Sequence, residues 1–246
     1  MDAAEITTLQ AEVNDMTPEQ LLVWAAERFG GKVALASSLG AEDQVLTDMI
    51  ARVAPSLAIF TLDTGRLHQE TYDLLDATRS RYDLRIDVLF PDPADIEPML
   101  AERGPNAFRQ SVDDRKACCY ARKVRPLQRR LATLDAWVTG LRSDQSITRT
   151  ELHTIEWDAG NGLVKLNPLI AWTHEQVWDY IRTHDVPYNV LHDQGYPSIG
   201  CAPCTRAVAP GEDIRAGRWW WENPEHKECG LHVVDGKLKP TRDSQE

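Results

Sequence analysis

Long hydrophobic runs and a disulfide framework are both missing from this sequence. Spanning a bilayer takes about 20 consecutive apolar residues, and no stretch of the chain approaches that length. The opening segment, MDAAEITTLQ, has neither the basic start nor the apolar stretch of a secretion signal. Five cysteines are an odd number, which does not suit a secreted protein stabilised by disulfides. These absences predict a cytoplasmic protein that does not bind membranes.

Positive charge is scarce as well. The chain has 27 Lys and Arg against 38 Asp and Glu, which gives a formal net charge of −11. An acidic balance of this size disfavours binding to nucleic acids, although a local basic pocket can exist within an acidic protein. We therefore expect no nucleic-acid partner.

Internal repeats, low-complexity tracts and an obvious linker are also absent. With 246 residues, of which 42% are hydrophobic, the chain is long enough to form one large domain with a buried core. We expect a single domain over residues 1–246, with a mobile tail at 229–246. The sequence leaves open whether the chain forms a homo-oligomer.

Strand and helix patterns alternate along the chain as far as about residue 186. The predicted strands are 33–36, 57–61, 85–90 and 136–139, and a predicted hairpin joins 152–157 to 162–166. The predicted helices begin at Pro18 and Thr173, where capping boxes occur, and at Ala41, Leu67 and Cys118. This alternation predicts an α/β fold with a mostly parallel, doubly wound sheet, followed by a loop-rich C-terminal region.

Three loops follow predicted strands, at the edge where parallel sheets bind ligands. They are Ser37–Asp43, Asp63–Arg66 and Gly140–Asp144. Small residues there let the backbone approach an anion, and the start of a following helix adds partial positive charge. Neither a Walker A loop nor a Gly-x-Gly-x-x-Gly motif is present. The loops predict an anion-binding edge, with ordinary strand–helix turns as the alternative.

The cysteines fall into two pairs and a single residue. The pairs are Cys118-Cys119 and Cys201-x-x-Cys204, and four thiolates from two distant segments can surround zinc or an iron–sulfur cluster. Adjacent cysteines are unusual for structural zinc, so the spacing favours a four-cysteine cluster. A redox dithiol or inert buried cysteines are the alternatives.

Basic residues lie close to both pairs. Arg122 and Lys123 follow the first pair within one helical turn, and Arg215 and Arg218 follow Cys204 on one predicted helix face. If the cysteines converge, these cations converge with them and suit a doubly anionic group of a substrate. For the run after the first pair, a solvated helix face is the alternative.

Cys229 remains after the two pairs have been assigned. Nearby His226 and Lys227 can lower the pKa of its thiol and favour the thiolate. The residue is therefore a candidate nucleophile, with an incidental surface cysteine as the alternative.

Seven segments of the chain carry motifs that occur together in one enzyme family. They are Ser37–Asp43, Leu62–Leu67, Cys118–Val124, Gly140 with Gln145-Ser146 and Thr148-Arg149, Ile199–Arg206, Asp213–Glu222 and Glu228–His232. In this combination they resemble the cluster-containing, adenylyl-sulfate type of assimilatory sulfonucleotide reductase. The resemblance implies an adenine nucleotide alpha-hydrolase-like fold. The first loop departs from the family in carrying Leu39, where relatives often have Ser or Gly.

The resemblance also implies a reaction and a cofactor. It implies a [4Fe-4S] cluster on Cys118, Cys119, Cys201 and Cys204, and a catalytic nucleophile at Cys229. The thiolate would attack the sulfur of adenosine 5′-phosphosulfate, with AMP as the leaving group, and leave an S-sulfocysteine on the enzyme. Thioredoxin or a glutaredoxin-like dithiol would then release sulfite. The implied process is assimilatory sulfate reduction and cysteine biosynthesis.

Further residues take roles in this interpretation. Those that would neutralise the phosphosulfate and the leaving phosphate are Lys123, Arg149, Arg215 and Arg218, with His232 as an assistant. Those that would bind the nucleotide are Ser37, Ser38, Leu62, Gly140 and Arg149. The alternatives are the 3′-phosphorylated nucleotide as substrate, an ATP-pyrophosphatase-type adenylating enzyme, and a metal-stabilised binding protein without catalysis.

Overall fold

The computed structural model describes residues 3–143 and 153–223, which group into two compact units. One comprises residues 3–62, 69–89, 130–143 and 153–190, and is called the sheet unit here. The other comprises 63–68, 90–129 and 191–223, and is called the cysteine unit because it contains both cysteine pairs. The expected tail at 229–246 lies outside the described residues, so the expectation of one domain with a tail stays a prediction. None of the helices in the described ranges is both long and apolar enough to cross a membrane.

The sheet unit is built on six strands. They are β1 (Val33–Ser37), β2 (Ala58–Leu62), β3 (Ile86–Leu89), β4 (Ala136–Val138), β5 (Ile155–Asp158) and β6 (Leu163–Leu166). They lie in the order β3-β2-β1-β4-β6-β5, and every pair is parallel except β5 with β6. The predicted mostly parallel α/β sheet and the predicted antiparallel hairpin are both confirmed.

Eight α-helices complete the described chain. They are α1 (Ala3–Val13), α2 (Pro18–Phe29), α3 (Ala41–Val53), α4 (Gln69–Tyr82), α5 (Pro93–Arg103), α6 (Val112–Cys119), α7 (Arg125–Leu131) and α8 (His174–His184). The capping boxes at Thr17 and Thr173 are both formed, each with a glutamine at the third helical position. Helix α1 has no counterpart among the sequence predictions.

The core of the sheet unit lies between β1 and the helices that pack on it. Val33 and Leu35 of β1 are fully buried, as are Val45, Leu46 and Met49 of α3. Burying a side chain of this size contributes about 1.5–3 kcal/mol relative to leaving it exposed. This packing holds the start of α3 close to the carboxyl end of β1.

The helix around the first cysteine pair differs from the prediction. It was expected to begin at Cys118, but α6 begins at Val112, where Ser111 Oγ accepts a hydrogen bond of 3.0 Å from Asp114 N. That serine, followed by two aspartates, is an ordinary helix start that the prediction overlooked. A π-helical turn, Tyr120–Val124, separates α6 from α7, and such turns are common at functional sites.

Candidate functional site

The carboxyl ends of β1, β2 and β4 carry residues predicted to bind substrate. Ser37 is the last residue of β1, Leu62 is the last residue of β2, and Gly140 follows β4 by two residues. Because the strands are parallel neighbours in the order β2-β1-β4, these ends share one edge of the sheet. The strand order reverses between β1 and β4, and open α/β sheets bind ligands at such a point.

The loop after β1 is held by its own serines. The Ser37 hydroxyl accepts a hydrogen bond of 3.1 Å from Leu39 N. Ser38 donates from both its backbone N and its Oγ to Asp43 Oδ2, each at 2.6 Å. Leu39 is buried with φ of 60°, a left-handed conformation that costs a non-glycine residue about 1–2 kcal/mol. The loop is therefore fixed in shape.

Asp43 and Glu42 connect this loop to the one after β4. The backbone of Gly140 donates a hydrogen bond to Asp43, and a Cβ on Gly140 would come too close to Asp43 Oδ1 for any side chain. Glu42 Oε1 lies 2.9 Å from Arg142 Nε, whose side chain is buried. Burial raises the pKa of Asp43 to about 6, against the hydrogen bonds from Ser38 and Gly140, which lower it. Asp43 was not among the predicted site residues, although it lies in the first turn of a predicted helix after two serines, and that position was the available signal.

The four paired cysteines converge in the cysteine unit. Cys118 and Cys119 end α6, and Cys201 precedes the short 3-10 turn Ala202–Cys204, of which Cys204 is the last residue. All four line one small cavity. Four sulfur ligands from two segments form a donor set that suits soft metal ions.

Two contacts hold the Cys201 segment in the cysteine unit. Ala202 N donates to Arg66 O at 2.8 Å, and the Thr64 hydroxyl lies 3.2 Å from Cys201 Sγ. Trp219 N donates to Cys204 O at 3.1 Å, and its buried ring packs against Cys204. Thr64 and Arg66 belong to the predicted anion-binding loop Asp63–Arg66, whose contact with the cysteines was not predicted.

Two of these thiols, Cys204 and Cys118, resist ionisation. Burial and, to a smaller extent, the charges of Cys201, Cys119 and Cys118 raise the pKa of Cys204 to about 12, against Lys123, which lowers it. Burial also raises the pKa of Cys118, and Arg122 and Arg66 oppose that rise. Four thiolates can therefore coexist here only if added positive charge compensates them.

The described residues do not form a ready site for a single metal ion. In residues 3–143 and 153–223, no group of three or more Cys, His, Asp or Glu side chains is arranged to hold one ion.

Three of the predicted cations line this cavity. Arg122, Lys123 and Arg218 are among its lining residues. Arg122 is buried and donates from Nη1 to Thr64 O at 2.7 Å. Arg218 is also buried and donates from Nη1 to Ser198 Oγ at 3.3 Å and to Ile199 O at 3.4 Å. Two arginines thus fix loops around the cysteines as well as supplying charge.

Arg215 is placed differently from the prediction. It was expected to share a helix face with Arg218, but the segment forms turns in which Arg218 N donates to Arg215 O at 2.9 Å. Arg218 then pairs with Thr205 in an antiparallel bridge, which cannot form within a helix. Arg215 is half-buried and is not among the cavity-lining residues of the described chain.

Arg115 and Glu222 belong to the site and were missed. They form a buried ion pair of 2.9 Å, and Arg115 also hydrogen-bonds Cys119. Two guanidinium groups contact the Trp219 ring: Cζ of Arg115 lies 4.7 Å from the ring centroid, and Cζ of Arg218 lies 4.8 Å from it. The spacing of four residues between Arg115 and Cys119 could have revealed this contact.

Three predicted site residues lie outside the described residues. They are Arg149, Cys229 and His232. Their assignments stay predictions.

Comparison with known proteins gives a consistent picture. Residues 32–207 match the family described as "Phosphoadenosine phosphosulfate reductase domain". The chain is 58% identical to adenosine 5′-phosphosulfate reductase of Allochromatium vinosum, over 81% of this chain and 78% of that protein. It is 50% identical to the protein of the same name from Burkholderia cepacia, over 95% of this chain and 94% of that protein.

Solved structures agree with the fold. The crystal structure of phosphoadenylyl-sulfate reductase from Candida auris matches with a TM-score of 0.73 and 28% identity, over 85% of this chain and 98% of that one. An FMN adenylyltransferase from Candida glabrata matches with a TM-score of 0.53 at 15% identity, over 98% of this chain and 81% of that one. The second likeness concerns the fold alone.

Proposed function

The chain belongs to the phosphoadenosine phosphosulfate reductase family, and on that premise we propose that it reduces adenosine 5′-phosphosulfate to sulfite and AMP. It is then an oxidoreductase that acts on a sulfur group, in assimilatory sulfate reduction and cysteine biosynthesis. Relatives named adenosine 5′-phosphosulfate reductase, 46–58% identical over most of the chain, support this substrate. The observation in this chain that carries the proposal is the convergence of four cysteines beside five cations in one cavity.

The cysteine set fits a [4Fe-4S] cluster. Such a cluster binds cysteine thiolates from separate segments of a chain, the four cysteines line one cavity, and adjacent cysteines are an unusual ligand pair for structural zinc. Cys118, Cys119, Cys201 and Cys204 would hold it, and its iron would compensate the thiolate charge that burial disfavours. When bound, the cluster supplies structural order and an electrostatic field, because the electrons for sulfite come from thiols.

The proposed reaction has two covalent steps. The Cys229 thiolate attacks the sulfur of the substrate, a sulfur–sulfur bond forms, and the sulfur–oxygen bond to AMP breaks. A thiolate of thioredoxin or a glutaredoxin-like dithiol then attacks Cys229 Sγ and displaces sulfite. The second thiol of that protein resolves the mixed disulfide and regenerates Cys229, so the dithiol is oxidised and the sulfur is reduced by two electrons. Dithiol proteins of this kind are kept reduced in the cytoplasm, where we place the protein.

The basic residues assist the first step by charge. Lys123 lines the cysteine cavity, and Arg149, Arg215 and Arg218 carry the other positive charges assigned to the substrate. Cations aimed at the leaving phosphate stabilise the charge that develops on it. His232 assists from the C-terminal segment.

The test is sulfite release by the purified protein under reducing, oxygen-free conditions. We expect sulfite from adenosine 5′-phosphosulfate when thioredoxin is supplied, slower turnover of the 3′-phosphorylated nucleotide, and a brown protein that contains iron. Faster turnover of the 3′-phosphorylated nucleotide would contradict adenosine 5′-phosphosulfate as the preferred substrate. Adenylation of an acceptor with release of pyrophosphate, or a colourless zinc protein, would count against the proposal.

A further inference from the structure

Asp43 occupies the point where the strand order of the sheet reverses. We infer that Asp43 is the positioning residue of the nucleotide cleft, because its carboxylate fastens the loop after β1 to the loop after β4. The inference rests on the proposed function in one respect: it takes this edge of the sheet unit as the place where the adenosine nucleotide binds.

The carboxylate engages both loops at once. Its Oδ2 accepts from Ser38 N and Ser38 Oγ at 2.6 Å each, and its Oδ1 faces Gly140, whose backbone also donates to it. Hydrogen bonds to an ionised acceptor are the strong kind. The approach at Gly140 leaves no room for a Cβ, so glycine is required there for the contact to form.

A neighbouring ion pair reinforces the connection. Glu42, the residue before Asp43, binds Arg142 at 2.9 Å, and Arg142 belongs to the loop after β4. The first turn of α3 therefore holds that loop at two places. Since α3 packs on β1 through buried side chains such as Val45 and Leu46, the spacing between the two loops is fixed by the core.

A second buried carboxylate on the same helix gives a natural comparison. Asp48 accepts hydrogen bonds from Tyr180 at 2.7 Å, Tyr82 at 3.0 Å and Arg52 at 2.9 Å. These partners lie on α8, α4 and α3, and none lies at a strand end. Asp48 ties helices to one another, whereas Asp43 ties the two loops that would flank the nucleotide.

The charge state of Asp43 decides whether the connection holds. Burial and, to a smaller extent, the neighbouring charge of Glu42 raise its pKa to about 6, against the hydrogen bonds from Ser38 and Gly140. Arg142, bound to Glu42, is the cation that the loop after β4 brings to this turn. Above pH 6 the carboxylate accepts all three hydrogen bonds. Below pH 6 it binds a proton and loses part of its capacity to accept, so nucleotide affinity should fall with pH.

The test compares Asp43→Asn with Asp48→Asn in the iron-containing, full-length protein, with AMP as the probe. Asparagine has the shape of aspartate but turns an NH2 group toward one of the donors. For Asp43→Asn we expect the Kd of AMP and the KM for adenosine 5′-phosphosulfate to rise at least about tenfold, with kcat changed less and iron content retained. For Asp48→Asn we expect a lower Tm and an AMP Kd within about twofold of the original. The phosphate of AMP also binds a proton at about pH 6, so AMP affinity should fall below pH 6 in every variant but should fall less steeply in Asp43→Asn than in the original protein and in Asp48→Asn.

Gly140→Ala supplies a second route to the same contact. Its methyl group displaces the carboxylate, so AMP affinity should fall, and the double variant should lose no more than the larger single loss. Additive losses would mean that the methyl group obstructs the nucleotide directly and would overturn the inference, as would an unchanged AMP Kd in Asp43→Asn. If the unaltered protein made no sulfite but Asp43→Asn still lost AMP affinity, the proposed function would fail and the inference would stand.

Discussion

Arg115 and Glu222 form a two-point ion pair inside the cysteine unit. Arg115 Nε and Nη2 lie 3.0 and 2.9 Å from Glu222 Oε1 and Oε2, and the two side chains are 1% and 3% exposed. Because Arg115 also contacts Cys119 and the Trp219 ring, the pair joins α6 to the segment that follows the second cysteine pair.

Replacing Glu222 by glutamine should destabilise the protein strongly. The substitution leaves the Arg115 guanidinium buried with a neutral partner, and breaking a buried pair costs about 3–5 kcal/mol. Urea unfolding measures the loss. Glu212→Gln is the control, because Glu212 makes a two-point pair with Arg206 whose side chains are 34% and 38% exposed, and its loss should stay near or below about 1 kcal/mol. Equal losses of unfolding free energy in Glu222→Gln and Glu212→Gln would contradict the stabilising role of the buried ion pair.

In protein stripped of metal, Cys204 should react slowly with iodoacetamide at pH 8. Only the thiolate is reactive, and burial raises the pKa of Cys204 to about 12, so labelling should accelerate only toward strongly alkaline pH. Mass spectrometry of digested protein measures the labelling. The same protein unfolded in urea is the control, because an exposed cysteine thiol has a pKa of about 8.5. Labelling as rapid in the folded as in the unfolded protein would disprove the shift.

Cys229→Ser should abolish sulfite release that depends on thioredoxin. A serine hydroxyl cannot form the sulfur–sulfur bond of the intermediate, whereas iron content and AMP binding should remain. Sulfite assays, iron analysis and AMP titration separate these effects. The matched variant Cys201→Ser should instead lose iron, because Cys201 is one of the four cavity cysteines. Normal turnover by Cys229→Ser would end the proposed mechanism.

The free energy of unfolding of Asp43→Asn should rise, relative to that of the original protein, as the pH rises. The pKa of Asp43 is raised from 3.8 to about 6 in the folded protein, so its favourable contribution to stability is complete below the unfolded pKa and is lost as the pH rises through about 6. Between pH 5 and pH 8 the free energy of unfolding of the variant should gain on the order of 1 kcal/mol over that of the original protein. Urea unfolding at several pH values tests this. A difference independent of pH would contradict the raised pKa.

Gly200→Ala should lower the iron content of the purified protein. A Cβ on Gly200 would collide with the guanidinium group of Arg218, which holds Ser198 and Ile199 just before Cys201. Iron and acid-labile sulfide analysis measure the loss. Gly31→Ala is the control, since a Cβ there meets nothing within 4 Å, and its iron content should match that of the original protein.

Periodicity predicted the parts of the fold that depend on local sequence. The apolar run 33–36 became the central strand β1, and the capping boxes at Thr17 and Thr173 started helices where expected. The start of α6 was predicted at Cys118 and lies at Val112, because the N-cap residue Ser111 was not recognised as a helix start. Apolar runs and helix caps of this kind predict an element correctly when no second motif overlaps the same segment.

The candidate site was predictable in its residue types and less so in its contacts. Cysteine spacing selected the four cysteines that line one cavity, and placement beside them selected Arg122, Lys123 and Arg218. The contacts of Arg115 with Glu222 and of Asp43 with Gly140 bring together residues about 100 positions apart. Such contacts arise from tertiary packing, which no local pattern records.

The two cysteine pairs are synthesised at different times. They are encoded some 80 residues apart, and a ribosome that adds roughly 5–20 residues per second exposes the first pair several seconds before the second. Throughout that interval Cys118 and Cys119 stand as neighbouring thiols without the residues that complete their cavity. If the proposed cluster binds here, delivery of iron and sulfide has to follow the synthesis of Cys204, and until then Cys118 and Cys119 are adjacent thiols open to oxidation.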